Sequence, residues 1–254
     1  TNILSCNMKN YGLWKLPRKL TAYCNTTLMG AGFDSYNTNA TIYSKLLLNL
    51  ILSRNGIHSV RDSFSEKMLR KMGIQNVLNT GCPTMWDLTP EHCAAIPTQK
   101  AKNVVCTLTD YCRDEENDRA MLDILLGSYQ TVYFWLQGRD DLEYIRSLGY
   151  ENKVTLVQPT LKSLDAVLEQ ADLDYIGTRL HAGIRALNKG RRSLIISIDN
   201  RAECIHADTG LPIIHRKDIP EMLRKRIAEE TPTKLSMPWE NIAQWKNQFR
   251  DWQD

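Results

Sequence analysis

"LDYIGTRLHAGIRALNKGRRSLIISID" (173–199) reads as one strand–helix–strand unit. "LDYI" is an apolar run. "RLHAGIRALNKG" carries apolar residues at helical spacing and is ended by Gly190. "RSLIISID" (192–199) is apolar throughout rather than alternating. Strands apolar on both faces belong to a parallel sheet covered by helices. The turn "GTRLH" (177–181) falls where the strand hands over to the helix, and it brings in two cations of different kinds, Arg179 and His181.

The same alternation extends in both directions. Upstream, the runs 103–110, 131–138 and 153–159 predict strands, separated by helices over "NDRAMLDILLGSY", "RDDLEYIRSLGY" and "TLKSLDAVLEQAD". Asn117 or Asp118 is expected to cap the first of these helices and Thr160 the third. Downstream come a short helix over "NRAECIHADTG", a strand over "LPIIHR" and a helix capped by Asp218. The front of the chain is also α/β but thinner. "TTLMGAG" (26–32), "GIHSVRD" and "QNVLNTGCP" predict strands, and "YSKLLLNLILSRNG" and "SFSEKMLRKMG" predict helices. Ser63 and Glu66 have capping-box spacing. The aperiodic stretch 84–102 reads as a linker, giving a partial front domain over 1–99 and a second domain over 100–254. The tail helix carries Trp239, Trp245 and Trp252 roughly on one face, a stripe expected to pack on the protein's own surface.

Composition narrows the function classes. The chain has 254 residues, 43% hydrophobic and 24% charged, and a net charge of +3. That charge is too small and too scattered to imply a nucleic-acid partner. "LLLNLIL" (46–52), the longest apolar stretch, is far too short to span a membrane. Seven cysteines without CxxC spacing point away from a zinc site or a disulfide framework and towards buried thiols in the cytoplasm.

In parallel sheets covered on both faces, ligands sit at the carboxyl ends of the strands, where helix N-termini offer N–H groups and a positive dipole end. That rule selects "GTRLH", "DNRAE" (199–203), "VRDS" (60–63), "GAGFDS" (30–35) and "TDYCRDEEN" (109–117). Arg179 in a first helical turn opposes the dipole, a cost tolerated where an anion is to be bound. The structural alternative pairs Arg179 with a carboxylate such as Asp174 or Asp199 and leaves His181 half-buried. Arg61 and Asp62 could equally form a local salt bridge. Arg201 and Glu203 follow an apolar strand, where Glu203 suits ribose hydroxyls or the helix dipole. Gly30 sits in a tight turn that lacks the spacing of a phosphate loop.

"DYIGTRLHAGIRALNKGRRSLIISIDNRAE" resembles the C-terminal signature of the polysaccharide pyruvyl transferase family. "HSVRDSFSEKMLRKMGIQNVLNTGCPTMWDL" resembles its other hallmark, and "LMGAGFDS" is similar to the glycine turn upstream. The resemblance covers most of 26–216 in the right order. It departs at the front, where the usual glycine/Asn-Gly-Asp turn is not found, and at Arg201, which stands where the family usually has Lys. The resemblance implies a GT-B-like protein: two Rossmann-like parallel-sheet units facing a cleft, the N-terminal one abbreviated and on the acceptor side. It implies transfer of a pyruvyl group from phosphoenolpyruvate to two hydroxyls of a cell-surface polysaccharide or its lipid-linked precursor, forming a cyclic ketal. Phosphoenolpyruvate is then a donor substrate, and neither a cofactor nor a metal is expected. By the same resemblance Arg61 and Arg179 grip the donor, with the N–H groups of Leu180 and His181 adding to the anion site. His181 is the first candidate for acid–base work, ahead of Asp62 and Glu203, and Arg201, Glu203 and Gly30 line the substrate site. Work in the cytoplasm or at the inner face of the membrane is implied, and a homo-oligomer is compatible. Two other readings stay open: a GT-B glycosyltransferase with Arg179 on a diphosphate and Glu203 on a ribose, and a non-catalytic binding subunit.

Overall fold

The computed structural model of the chain describes residues 2–10 and 25–250. They divide into two compact units: residues up to Trp86 with 207–209 and 236 onward, and residues 87–206 with 210–235.

The first unit contains β1 (Asn2–Leu4), β2 (Gly32–Phe33), α1 (Ile42–Ile51), β3 (His58–Val60), α2 (Ser63–Lys71) and β4 (Val77–Asn79). β1 pairs with β2 and β3 with β4, all parallel, and a bridge from Ala31 to Val60 joins the two pairs. The core between them and the helices includes Leu4, Leu28, Phe33, Leu48, Ile51, Val60 and Leu69. The strand expected over 26–32 is interrupted because Gly30 adopts φ +55°, which turns the chain out of extended geometry. A Cβ at Gly30 would overlap the Pro83 ring, so the turn also needs the missing side chain. The cap of α2 lies one residue upstream of the expected capping box. Asp62 Oδ1 accepts from the Ser65 N–H at 2.7 Å, and Ser63 is already helical.

The second unit contains α3 (Pro90–Ala94), β5 (Asn103–Thr107), α4 (Glu115–Ser128), β6 (Thr131–Trp135), α5 (Asp141–Ser147), β7 (Thr155–Val157), α6 (Leu161–Leu168), β8 (Leu173–Gly177), α7 (Leu180–Asn188), β9 (Ser193–Ser197), α8 (Asn200–Thr209), β10 (Ile213–His215) and α9 (Ile219–Ala228). The expected linker is therefore partly helical: Thr89 caps α3, and Cys93 and Ile96 are buried. Thr160 caps α6 as expected. Asp114 caps α4 in place of Asn117 or Asp118, because its carboxylate reaches both Asn117 nitrogens. The tail helix α10 (Trp239–Asn247) packs within the first unit, not the second. Its Trp245 stacks with Trp86 and Phe249 at 5.5 and 4.9 Å, and Gln248 bonds both backbone groups of Ile57. Trp252 and Cys24 lie outside the described residues; the other six cysteines are free thiols, four of them buried.

Six strands of the second unit form one parallel sheet in the order β10-β9-β8-β5-β6-β7. The chain starts this sheet at β5 in the middle, builds outward through β6 and β7, then returns to β8 and builds the other way. The strand order thus reverses between β5 and β8, and loops leaving these two strands diverge and open a crevice at their carboxyl ends. β5 and β8 are in register from Asn103↔Leu173 to Thr107↔Gly177. At the last pair a Cβ on Gly177 would overlap the Thr107 side chain and backbone. Glycine here sets how closely the two diverging loops begin.

Gly177→Ala is therefore expected to lower stability by about 1–3 kcal/mol through overpacking. Gly127→Ala, in α4 with nothing near its Cβ, should instead raise stability by about 0.5 kcal/mol. Urea unfolding midpoints with an unchanged slope check both.

Candidate functional site

The crevice at the β5/β8 switch point is built from two loops of the second unit, 108–114 after β5 and 178–179 after β8. Thr178, the polar residue that leaves β8, does not cap α7. Its hydroxyl is tied to the Thr109 hydroxyl at 2.8 Å, locking the two diverging loops together. The N-cap is Arg179, which makes no side-chain cap bond, so its side chain is free of the helix end it begins. Tyr175 fixes the backbone from below, its hydroxyl donating to the Arg179 carbonyl at 2.8 Å.

The guanidinium of Arg179 is held on one side. Nε donates to the Leu108 carbonyl at 2.9 Å, and Nη2 donates to Asp110 Oδ1 at 2.9 Å and to Asp141 Oδ1 at 2.8 Å. Its partners are thus Asp110 and Asp141, not Asp174 or Asp199. Asp174 is committed to the Tyr129 hydroxyl and Arg192, and Asp199 to Arg201. Asp141, fully buried, accepts from the Gln137 and Gly138 N–H groups through its other oxygen. A Cβ on Gly138 would overlap Arg179 Nη2 and the Asp110 carboxylate, so the cluster closes only over a glycine. Nη1 takes no part in these bonds. Leu180 is buried as the first residue of α7, and His181, the second, is exposed.

Tyr111 is 70% exposed, yet its ring lies 5.4 Å from the Arg179 guanidinium carbon. Arg201 is bound to the α8 cap residue, donating twice to Asp199 Oδ2 at 2.9 and 2.5 Å. Those hydrogen bonds, against the opposing effect of burial, hold the Arg201 pKa above its ordinary value. Glu203 Oε1 accepts from the Ser197 hydroxyl at 3.3 Å and pairs with His215 Nδ1 at 3.1 Å. The geometry therefore groups Arg179, Leu180 and His181, while Arg201 is held by Asp199.

In the first unit Arg61, Asp62 and Gly30 lie around the end of β3. Arg61, 4% exposed, donates to Asp62 Oδ2 at 3.1 Å and to the Phe33 carbonyl at 3.2 Å. A Cβ on Gly32 would overlap that guanidinium. Asp62 is fully buried and has both oxygens occupied, by Arg61 and the Tyr36 hydroxyl on one and the Ser65 N–H on the other. In this arrangement it acts as a helix cap and ion partner. Gly30 shapes a turn, its N–H donating to the Ser59 hydroxyl at 2.9 Å.

The sequence pointed to the 109–117 loop but to no residue in it, and it missed Asp110, Tyr111 and Asp141. An acidic residue at a helix start, such as Asp141, reads as a dipole partner. Only the fold shows its carboxylate facing Arg179.

Burial opposes ionisation of Asp110, but hydrogen bonds from the Asp140 and Tyr111 N–H groups and from Arg179, with the Arg179 charge, outweigh it. The carboxyl is held below its ordinary pKa. The folded state therefore binds this proton less tightly than the unfolded chain. The resulting stability is complete above the ordinary carboxylate range and is lost as pH falls through the folded value. Melting curves of the wild type and Asp110→Asn should differ most near neutrality, in favour of the wild type, and converge in strong acid.

A family model described as polysaccharide pyruvyl transferase matches residues 5–200. No curated protein sequence matches the chain. Among solved structures, the UDP-GlcNAc 2-epimerase of Methanocaldococcus jannaschii, in complex with UDP-GlcNAc and UDP, is similar with a TM-score of 0.57 and 10% identity, over 92% of this chain and 70% of that one. A lipopolysaccharide outer core galactosyltransferase, WaaB, gives 0.47 and 11%, over 75% and 57%. MnaA of S. aureus, solved with UDP, gives 0.45 and 12%, over 76% and 58%. At these identities the likeness concerns the fold alone, which is α/β and GT-B-like.

Proposed function

Because the chain belongs to the polysaccharide pyruvyl transferase family, we propose that it moves the pyruvyl group of phosphoenolpyruvate onto two hydroxyls of a sugar in a cell-envelope polysaccharide or its lipid-linked precursor. The observation that carries this reading is Arg179, anchored at the strand switch point through Nε and Nη2, with Nη1 outside those bonds among the described residues. A planar guanidinium presenting one edge suits the carboxylate or phosphate of the donor. Asp110 and Asp141 do two things at once. They fix the guanidinium plane, and they lower the local charge, so a bound anion must also draw on the α7 N-terminus. Leu180 and His181 supply that helix start.

The reaction balances without a co-reactant. Two sugar oxygens bond to the central carbon of the donor, and its bond to phosphate breaks. One hydroxyl proton ends on the methylene carbon, making a methyl group, and the other leaves with the phosphate. His181, exposed on the first turn of α7, carries the imidazole proposed to move those protons. Arg61, buried in the first unit, is proposed separately as a cation that the reaction needs. The reaction is proposed for the cytoplasm or the inner face of the membrane; no helix among the described residues is long and apolar enough to cross one.

Millimolar phosphoenolpyruvate should raise the melting temperature of the wild type, and Arg179→Ala should abolish the shift. Phosphate release in the presence of acceptor should fall by about two orders of magnitude or more in Arg179→Ala, as for loss of a charge-stabilising donor in the transition state. Stabilisation by a nucleoside diphosphate but not by phosphoenolpyruvate would overturn the proposal.

A further inference from the structure

Within the second unit an open groove of about 790 Å³ runs between the 112–114 loop, the β9–α8 connection and the end of β10. Its walls include Arg113, Ser197, Asp199, Glu203, His215 and Lys217. We propose that this groove is a saccharide subsite, and that it receives the sugar ring bearing the accepting hydroxyls in the second unit, a departure from the acceptor side that the resemblance assigns to the N-terminal one. Its role as acceptor site rests on the transfer reaction proposed above; the capacity to bind a sugar does not.

The lining chemistry selects the ligand class. Three carboxylates (Asp114, Asp199, Glu203) face three Arg or Lys side chains (Arg113, Arg216, Lys217) around the groove. A diphosphate would meet the carboxylates as well as the cations, so net attraction to an anion is small. Hydroxyl groups donate and accept at once, and a polyol satisfies both kinds of wall. The volume lies in the range of small-ligand pockets, roughly 300–1,000 Å³. Tyr111, next in sequence to the lining residue Cys112, adds an exposed aromatic face. One face of that ring is toward Arg179, and a sugar ring presents the C–H surface that packs on aromatics.

The groove is preformed. Behind it Arg216, 8% exposed, bonds Asp118 and donates to the Cys112 carbonyl at 2.6 Å, so the 112–114 loop is tied to the end of β10. The Tyr144 hydroxyl donates to Asp118 at 2.6 Å and completes the network. A buried, satisfied ion network of this kind holds its members in one arrangement. In front of it Glu203 orients His215. With His215 Nδ1–H donating to Glu203 Oε1, Nε2 is the ring nitrogen left for a ligand. Glu203 Oε2 takes no part in the bonds to Ser197 and His215, and it is the acceptor offered to a hydroxyl.

Ligand-observed NMR on the full chain provides the test, with methyl α-mannoside, methyl β-galactoside and N-acetylglucosamine as probes and UDP as competitor. At least one sugar should bind saturably in the millimolar range. Glu203→Gln and His215→Ala should each weaken it about tenfold, the loss expected when a hydrogen bond to a charged or oriented group is removed. Unchanged melting temperatures show that these variants fold. The groove assignment is overturned if none of the three sugars binds at tens of millimolar, if binding is the same in both variants, or if UDP binds and displaces the sugar from its site. The phosphoenolpyruvate melting shift is read in parallel. Its absence alongside the expected sugar binding would sink the donor reading and leave the saccharide subsite standing.

Discussion

The close pairing of β5 with β8 is the constraint on which the second unit depends. These strands are central in the sheet, and the chain builds outward from them in opposite directions. Gly177 brings the strand ends together against Thr107, and the Thr109–Thr178 hydroxyl pair prolongs the contact just beyond the last ladder position. Past that point the backbones must part, one toward the 109–114 loop and one into α7. The gap they leave is where backbone donors, a helix start and side chains from both loops converge.

Arg179 occupies that gap under unusual electrostatic terms. Its helix start repels it, and two carboxylates attract it more strongly. A partly buried ion cluster of this kind adds little net stability, because desolvation of the ions offsets much of their attraction. What it gives is position. The guanidinium plane is fixed by three hydrogen bonds to Leu108, Asp110 and Asp141, and Gly138 leaves room for it. A cation held this way meets a ligand with little ordering still to be done. The same device recurs in the Arg216–Asp118 network, which braces the groove next door, and in the Arg61–Asp62 pair of the first unit.

Much of this was legible from the chain. Apolar strands alternating with capped helices gave the α/β class and the parallel sheet, since those patterns are local and each element must satisfy its own backbone. The strand-end rule points to the loop after β5 and to "GTRLH" without reference to any contact. Cap positions were less legible. Asp62 and Asp114 each displaced an expected neighbour, because the cap depends on where the preceding strand lets go. The domain boundary was displaced too. Trp86 and Trp245 are far apart in sequence, and nothing local says that their rings meet.

The amino-acid order alone determined which residue types stand at the strand ends: Arg61 and Asp62, Arg179 and His181, Arg201 and Glu203. Periodicity and turn chemistry fix such positions without reference to the rest of the chain. Only the tertiary structure decided what each faces. Asp110 and Asp141 are drawn to Arg179 from two other loops, the Tyr111 ring lies against Arg179, and Glu203 meets His215 from the neighbouring strand. Those contacts join residues from separate elements, and their geometry is set by the order of strands in the sheet.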